Sequence, residues 1–218
     1  MSVANVTIVI IEDHAIVRGL LARVAQDAFP RSKVTLARDG RQGVELCRQE
    51  KPELVLLDLD LPDGDGIERV QEIRAVAPAA KILVLSSHTE PYILHRVQQV
   101  RVDGFVDKNE GELELLAQAL QQVIAGQMYF SPSVQEALTR FRSNPNAFSK
   151  LLSEREQALL RLLGRGWTDG RIAEEVGLKE ITVRNHRRNI MGRLGIHSTP
   201  ELIRYALENG FSRVRGRT

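Results

Sequence analysis

Short apolar runs alternate with amphipathic stretches along the first half of the chain, and this alternation restricts the fold more than any other feature. The apolar runs cover residues 6–11, 33–37, 53–58, 81–86 and 103–107. Between them, apolar residues recur at helical spacing, as in residues 17–28, 67–76 and 93–100. Continuously apolar strands separated by helices form a parallel sheet covered on both faces. The sequence therefore predicts an α/β doubly wound domain with a five-stranded parallel sheet.

The last third of the chain has a different, all-helical pattern. Ser153 stands three residues before Glu156, a capping box that predicts a helix through residue 163. Three more helices are predicted: residues 172–176 with Thr168 as the cap, residues 180–194, and a last helix that opens at residues 198–200 and ends at Gly210. Asn144-Pro145 marks the connection between the two patterns. We therefore predict a first domain at residues 1–126, a linker with a short helix at 127–149, and an all-α four-helix domain at 150–218.

The charge of the chain is divided unequally between its two parts. Residues 1–130 carry 14 Lys and Arg against 19 Asp and Glu, whereas residues 131–218 carry 16 against 9. A basic domain joined to an acidic one indicates that only the second faces a polyanion such as DNA or RNA.

Composition limits the remaining classes. Cys47 is the only cysteine, which excludes an internal disulfide and a cysteine-rich metal site. The longest apolar runs, four residues each at 8–11 and 54–57, are far shorter than the roughly 20 residues of a membrane span. We therefore expect a cytoplasmic protein without membrane contact.

Polar side chains stand where four of the predicted strands end: Glu12 and Asp13 after the first, Asp58 in the third, Ser86 in the fourth and Lys108 after the fifth. In a parallel sheet these ends meet at one edge, where ligands gather. Three carboxylates brought together repel one another, and Mg²⁺, which prefers carboxylate oxygens, compensates for that repulsion. The sequence therefore predicts a magnesium site formed by Glu12, Asp13 and Asp58.

This arrangement suits phosphoryl transfer. Asp58 is expected to attack a phosphoryl group and form an acyl phosphate, with the transferring charge stabilised by Mg²⁺ and Lys108. The hydroxyl of Ser86 is expected to bond a phosphoryl oxygen and so to register the modification.

Residues 5–125 resemble response-regulator receiver domains, which have a flavodoxin-like fold. The resemblance rests on the acidic pair, Asp58 followed by Leu-Pro-Asp-Gly-Asp-Gly at 61–66, Val-Leu-Ser-Ser at 84–87 and Gly-Phe-Val-Asp-Lys at 104–108. It implies that Phe105 is an aromatic switch that follows the Ser86 hydroxyl inward, although a plain core role stays open. Asp60 adds a carboxylate near the acceptor, and Ser86 stands where Thr is commoner. His88 is expected to be an exposed loop residue.

Residues 150–211 resemble the LuxR-type helix-turn-helix, on the basis of Leu-Ser-Glu-Arg-Glu at 152–156, Gly-Trp-Thr at 166–168, Ile-Ala at 172–173 and Thr-Val-Arg-Asn-His at 182–186. The helix at 180–194 is then the recognition helix in the major groove. The resemblance implies that Arg184, Asn185 and Arg188 read bases, and that Arg187 contacts a phosphate or is solvated. Trp167 is expected to anchor the domain core.

The two resemblances together indicate a response regulator of the NarL/FixJ class. They imply a sensor histidine kinase that phosphorylates Asp58, double-stranded promoter DNA as the target, a homodimer in the active state, and no enzymatic activity beyond self-directed phosphoryl transfer and dephosphorylation. Asp58-Leu59-Asp60 also resembles the Asp-x-Asp of haloacid-dehalogenase phosphatases, but those take their acidic pair from late in the chain. A receiver that dimerises without phosphorylation is a third reading, and it requires a broken acceptor set.

Overall fold

The computed structural model describes residues 6–212 and divides into two compact units. The first unit is Met1–Thr89 with Arg96–Glu136, and the second is Glu90–His95 with Ala137–Thr218. Predicted domain ends at residues 1–5 and 213–218 lie outside the described residues. Within residues 6–212, no helix is both long enough and apolar enough to cross a membrane.

The elements of the first unit follow the predicted alternation of strands and helices. In chain order they are β1 (Thr7–Ile11), α1 (Ala15–Ala28), β2 (Lys33–Ala37), α2 (Gly40–Glu50), β3 (Leu54–Asp58), β4 (Asp60–Leu61), β5 (Gly64–Asp65), α3 (Gly66–Val76), β6 (Lys81–Ser86), α4 (Pro91–Gln99), β7 (Gly104–Asp107), a 3₁₀ turn (Lys108–Glu110), α5 (Leu113–Ile124), β8 (Tyr129–Phe130) and α6 (Pro132–Ser143). Helix α4 begins in the Glu90–His95 segment of the second unit, and α6 continues past the end of the first unit at Glu136.

The main sheet is parallel, with strand order β2-β1-β3-β6-β7-β8. Every residue of β3 is buried, and so is almost all of β1, because helices cover both faces of the central strands. This confirms the predicted doubly wound architecture. Each of the five predicted strands is present within one residue of its expected bounds.

A sixth strand is the main difference from the predicted sheet. Tyr129 pairs with Gly104 and Phe130 with Phe105, and the backbone N–H of Ser131 then donates to the carbonyl of Phe105. These residues were assigned to the linker, because two residues are too few to show a strand pattern. The sheet therefore has six strands, and the polypeptide after residue 126 begins as part of the first unit.

Helix α2 packs closely against the sheet through a glycine. A Cβ built on Gly43 would lie 2.3 Å from the Cδ1 of Ile11, so a larger residue there would have to displace the Ile11 side chain. Cys47 on the same helix is fully buried, and burial raises the pKa of its thiol to about 12. The single cysteine is therefore an inert core residue.

The second unit is helical, as predicted. After the one-turn helix α7 (Phe148–Leu151) come α8 (Glu154–Gly164), α9 (Asp169–Val176), α10 (Glu180–Leu194) and α11 (Thr199–Glu208). Ser153 caps α8 in a complete capping box, and Thr168 and Ser198 cap α9 and α11. No side chain caps α10, as its Lys179 start predicts. The four predicted helices are all present, and α7 is an addition.

Apolar residues from each helix form the core of the second unit. Leu160, Ile172, Val183, Ile190 and Leu202 are all fully buried. Since α10 contributes only Val183 and Ile190 to the buried set, most of its surface is left for other contacts.

Candidate functional site

The carboxyl ends of β1, β3 and β7 bring charged side chains of opposite sign together. Lys108, directly after β7, places its Nζ 2.7 Å from Glu12 Oε2 and 3.0 Å from Asp58 Oδ1. Glu12 and Asp58 are buried, whereas Asp13 is exposed. The structure thus brings together the acidic pair, the acceptor candidate and the lysine that the sequence singled out.

The three carboxylates form an acidic cluster with the geometry of a cation site. Glu12, Asp13 and Asp58 each offer a carboxylate oxygen, and the three oxygens lie within 4.8 Å of one another. Carboxylate oxygens are the ligands that hard divalent cations prefer, and the exposed Asp13 leaves the cluster open to water. The donor set therefore fits Mg²⁺.

Asp58 is electrostatically unusual. Burial raises the pKa of Asp58 to about 6; Lys108 opposes this rise, while Glu12 and Asp13 add to it. Removing a carboxylate from water disfavours its charged form, so a nearby positive charge is needed to keep it ionised. Lys108 supplies one such charge at hydrogen-bond distance.

Ser86 lies on β6, the strand next to the Asp58 strand, and Phe105 lies on β7, one strand further along the sheet. Ser86 ends β6 and is fully buried, and its Oγ accepts a hydrogen bond of 3.1 Å from the backbone N–H of His88. Asp58 pairs with Leu85, the residue before Ser86, across the β3–β6 ladder. Phe105 is fully buried on β7. Both predicted switch residues are therefore buried inside the unit, Ser86 on the strand beside the acceptor strand and Phe105 on the strand after that.

His88 differs from its expected position. Its Nε2 lies 2.9 Å from Asp60 Oδ2, and only 28% of its side chain is exposed. The expectation of an exposed loop histidine is wrong, because His88 reaches across to the residue two positions after the acceptor. No periodic pattern signals this contact, since the two residues are far apart in the chain.

The segment after β3 packs against the backbone of Asp58 and bonds to the start of α2. A Cβ on Gly66 would lie 2.4 Å from the backbone oxygen of Asp58, so only glycine fits there. Asp63 accepts hydrogen bonds of 2.9 Å from the backbone N–H groups of Gly40 and Arg41 at the start of α2. Burial tends to raise the pKa of Asp63, but these bonds and Arg69 hold it below its usual value. The Leu-Pro-Asp-Gly-Asp-Gly segment is therefore a structural support, a role that sequence reasoning did not assign.

The recognition-helix candidate α10 has one buried face and one charged face. Val183 and Ile190 are buried, whereas Arg184, Asn185 and Arg188 are exposed. Arg188 stands four residues after Arg184 and three after Asn185, so it neighbours both on the helix surface. Arginine and asparagine are the side chains that most often make paired hydrogen bonds to guanine and adenine. The predicted base-reading residues therefore share one accessible surface.

Arg187 has a different environment from the other arginines of α10. Its Nε and Nη2 donate to the two carboxylate oxygens of Asp169 at 3.0 and 2.8 Å, and its Nη1 donates to Thr199 Oγ1 at 2.8 Å. These contacts link α10 to the start of α9 and of α11. Sequence reasoning missed Asp169, because this residue and Arg187 lie on different helices, 18 residues apart in the chain. Arg184 also lies near this carboxylate, with Nε 3.6 Å from Asp169 Oδ2, and it bonds Glu180 on its own helix.

Trp167 lies against the core of the second unit, and the guanidinium of Arg171 lies 3.9 Å from the centroid of its ring. An Arg placed over a Trp ring is a favourable cation–π contact. The ring is therefore held by its own domain, as the predicted anchor role requires.

Comparisons with known proteins agree with both units. Residues 8–121 match the response regulator receiver domain family, and residues 150–206 match the bacterial regulatory proteins of the luxR family. Oxygen regulatory protein NreC of Staphylococcus aureus (strain JH9) is 32% identical over 210 residues, which cover 92% of this chain and 96% of that protein.

Solved structures of response regulators are also similar over most of the chain. The response regulator RcsB in a complex with DNA matches with a TM-score of 0.64 and 25% identity, over 93% of this chain and 98% of that chain. RcsB from Salmonella enterica serovar Typhimurium, bound to promoter rprA in the presence of the phosphomimetic BeF₃⁻, matches with a TM-score of 0.66 at 25% identity and the same coverage. The chain therefore belongs to the two-component response regulators of the NarL/FixJ class, DNA-binding transcription regulators that join a receiver domain to a LuxR-type helix-turn-helix.

Proposed function

We propose that Asp58 is the phospho-acceptor of this regulator and that its modification controls DNA binding by α10. The observation that carries this proposal is the contact of Asp58 with Lys108, 3.0 Å apart, inside the acidic cluster at the sheet edge. Burying a carboxylate beside two further carboxylates costs folding free energy even with one lysine in contact. Ionisable groups in such surroundings cluster at functional sites.

Glu12, Asp13 and Asp58 would hold Mg²⁺, as their grouped oxygens allow. When bound, the ion supplies positive charge to the oxygens of the transferring phosphoryl group. An Asp58 oxygen attacks phosphorus, the bond between phosphorus and the donor's leaving group breaks, and an acyl phosphate remains on Asp58. Lys108 then moves from its pairing with Asp58 to a phosphoryl oxygen. A sensor histidine kinase is the proposed donor.

Ser86 is the proposed sensor of the phosphoryl group. Its Oγ already accepts from the His88 N–H, so its hydroxyl proton is available for a phosphoryl oxygen. Phe105, on the next strand, would occupy the space that the Ser86 hydroxyl leaves when it turns toward the acceptor. We propose that these two residues convert modification into a change of receiver surface.

Double-stranded promoter DNA is the proposed target of α10. Arg184, Asn185 and Arg188 are exposed and in phase, and the RcsB relatives are described as bound to DNA. Two recognition helices spaced by about 34 to 36 Å bind repeated half-sites together, so pairing of two chains raises affinity without new base contacts. We propose that phosphorylation shifts the monomer toward a homodimer.

The test is the Asp58→Asn variant treated with acetyl phosphate and Mg²⁺. An amide neither attacks phosphorus nor binds Mg²⁺ as a carboxylate does, so intact-mass measurement should show one phosphoryl group on the unmodified chain and none on the variant. Asp60→Asn, which changes the neighbouring carboxylate, is the matched control and should still be labelled.

The same samples test the switch. Sedimentation and gel-shift assays at fixed salt should show more dimer and tighter DNA binding only where Asp58 is phosphorylated. Full labelling of Asp58→Asn would remove Asp58 from the proposal, and equal dimer fractions in both states would remove the switch. Continuous release of phosphate from a phosphomonoester would favour a phosphatase instead.

A further inference from the structure

Two serines that follow the sixth strand form hydrogen bonds with the residue before Lys108. The Ser131 Oγ accepts from the backbone N–H of Asp107 at 3.1 Å, and the Ser133 Oγ donates to Asp107 Oδ2 at 3.1 Å. Both serines lie beyond residue 121, where the match to the receiver family ends. They come from the segment that the sequence assigned to the linker.

Asp107 is the centre of a network that is closed on both sides. Its Oδ1 accepts from the backbone N–H of Asn109 at 2.8 Å, and the Asn109 side chain donates to the carbonyl of Ser87 at 2.9 Å. Asp107 also pairs in register with Ser86 on β6. The backbone on either side of Lys108 is therefore tied to the Ser86 strand on one side and to the two serines on the other.

The Ser131 side of this network is shielded from water, whereas Ser133 is partly buried. Ser131 is fully buried and Asp107 nearly so. The backbone N–H of Ser133 donates to Glu110 Oε1 at 2.7 Å. Burial tends to raise the pKa of Glu110, but hydrogen bonds from Ser133 and Ser131 outweigh it and hold this pKa below its usual value. Hydrogen bonds to charged groups in such surroundings are stronger than neutral ones and restrict the geometry of both partners.

The position of the Lys108 Nζ depends on the backbone from which its side chain extends. Its side chain is long and flexible, yet its Nζ is within hydrogen-bond distance of both Glu12 and Asp58. A catalytic charge acts only if it is held where the reacting oxygens develop charge, and a displacement of about 1 Å can cost roughly a hundredfold in rate. The bonds to Asp107 restrict the direction in which the lysine leaves β7.

We propose that Ser131 and Ser133 are positioning residues for phosphoryl transfer to Asp58: they hold Asp107 and thereby fix the backbone from which Lys108 extends. This inference rests on the proposed roles of Asp58 and Lys108. It extends the functional receiver to residue 133, past the predicted boundary at 126. The first turn of α6 then helps to position the residues of the phosphorylation site.

The test compares full-length Ser133→Ala with the unmodified chain, using acetyl phosphate and Mg²⁺. The rate of phosphoryl incorporation, followed by intact mass, should fall about tenfold through loss of lysine positioning. Mg²⁺ affinity, measured by calorimetry, should not fall, because Lys108 is not a metal ligand. Ser133→Thr keeps the hydroxyl and should restore the rate. Ser143→Ala is the matched control, since that hydroxyl donates to the carbonyl of Arg140 at the far end of α6.

A double-mutant cycle separates positioning from simple loss of structure. If Ser133 acts through Lys108, Ser133→Ala should cause no further loss of rate in a Lys108→Ala background. Ser131 is fully buried and its alanine variant risks misfolding, so Ser133 carries the test, with circular dichroism to verify folding. Undiminished labelling of Ser133→Ala, or equal losses with and without Lys108, would overturn the inference. If the unmodified chain and Asp58→Asn behave alike, it is instead the proposed function that fails.

Discussion

The Arg187–Asp169 pair should stabilise the DNA-binding domain without contacting DNA. Arg187 was expected to contact a phosphate or to be solvated, yet the structure directs its guanidinium into Asp169 and Thr199. Arg187→Ala and Asp169→Ala each break this junction of α9, α10 and α11. We expect both variants to lose stability, and Arg187→Ala to keep the salt dependence of DNA binding.

The magnitude follows from burial and geometry. Exposed ion pairs contribute about 0.2 to 1 kcal/mol, whereas a hydrogen bond to a charged group contributes about 1.5 to 3 kcal/mol. Side-chain exposure here is 26% for Arg187 and 11% for Asp169, and the contact is bidentate. We therefore expect about 2 kcal/mol for either substitution, which for a domain of this size lowers Tm by roughly 8 to 16 °C.

The assay uses the only tryptophan of the chain, Trp167, which lies in the second unit and reports its unfolding in the full-length protein. Urea midpoints followed by Trp167 fluorescence should fall in both single variants, and the double variant should fall by much less than the sum. Arg188→Ala is the matched control on the same helix. It should keep the midpoint and weaken DNA binding.

The opposite pattern would refute this reasoning. A protein that neutralises one phosphate fewer shows a salt slope of DNA affinity reduced by about 0.9. If Arg187→Ala lowers the slope by this amount and leaves the urea midpoint unchanged, Arg187 contacts the phosphate backbone and the Asp169 pair contributes nothing measurable.

Four further predictions concern both domains. Arg184→Ala should lose about 1 to 3 kcal/mol of DNA affinity at its preferred base only, as measured on single-base variants of selected sites. Gly66→Ala should displace the Asp58 carbonyl, 2.4 Å from the new Cβ, and reduce acetyl phosphate labelling in intact-mass assays. Ile181 is 55% exposed on the face of Arg184, so Ile181→Ala should reduce discrimination between thymine and deoxyuridine, which lacks the methyl group, in competition binding. Burial tends to raise the pKa of Glu156, but bonds from Ser153 and the charge of Arg193 hold it low. The ionised Glu156 side chain therefore stabilises the domain fully above pH 4.5, the ordinary pKa of glutamate, and this stabilisation is lost as the pH falls through the lowered pKa of the folded state. The urea midpoint followed by Trp167 fluorescence should consequently depend less on acid pH in Glu156→Gln than in the unmodified chain.

Each of these predictions has a contrary outcome. Equal losses for Arg184→Ala on every sequence would indicate a phosphate contact rather than base reading. Normal labelling of Gly66→Ala would show that the loop tolerates the added methyl group. Equal discrimination against deoxyuridine in both chains would remove Ile181 from the reading surface. An acid dependence unchanged in Glu156→Gln would assign the loss of stability to other carboxylates.

The sequence predicted the receiver architecture because its strands are long enough to carry a pattern. Buried parallel strands are continuously apolar, and the residues that end them are polar for a chemical reason, so Asp58 and Lys108 could be placed together before the structure was known. The capping residues Ser153 and Thr168 could be assigned in the same way, since a cap is a local hydrogen bond within one turn.

The parts that were missed depend on contacts between distant segments. Strand β8 has two residues, too few for any periodicity, and its partner is 25 residues earlier along the chain. Helix α2 has glycines at positions 40 and 43, which weaken its helical pattern, although the Ile11 side chain packs into the space that Gly43 leaves. The pairing of Arg187 with Asp169 and of His88 with Asp60 is likewise set by packing alone.

The two-residue strand β8 also protects the solubility of the receiver. An uncovered edge strand exposes unpaired N–H and C=O groups that can pair with another chain and lead to aggregation. β8 covers the edge of β7, and Pro132, which has no backbone N–H, follows almost at once, so the ladder cannot extend outward. A receiver fragment ended at residue 126 would expose the full length of β7, and we expect it to self-associate through that edge where a fragment ended after residue 136 stays dispersed.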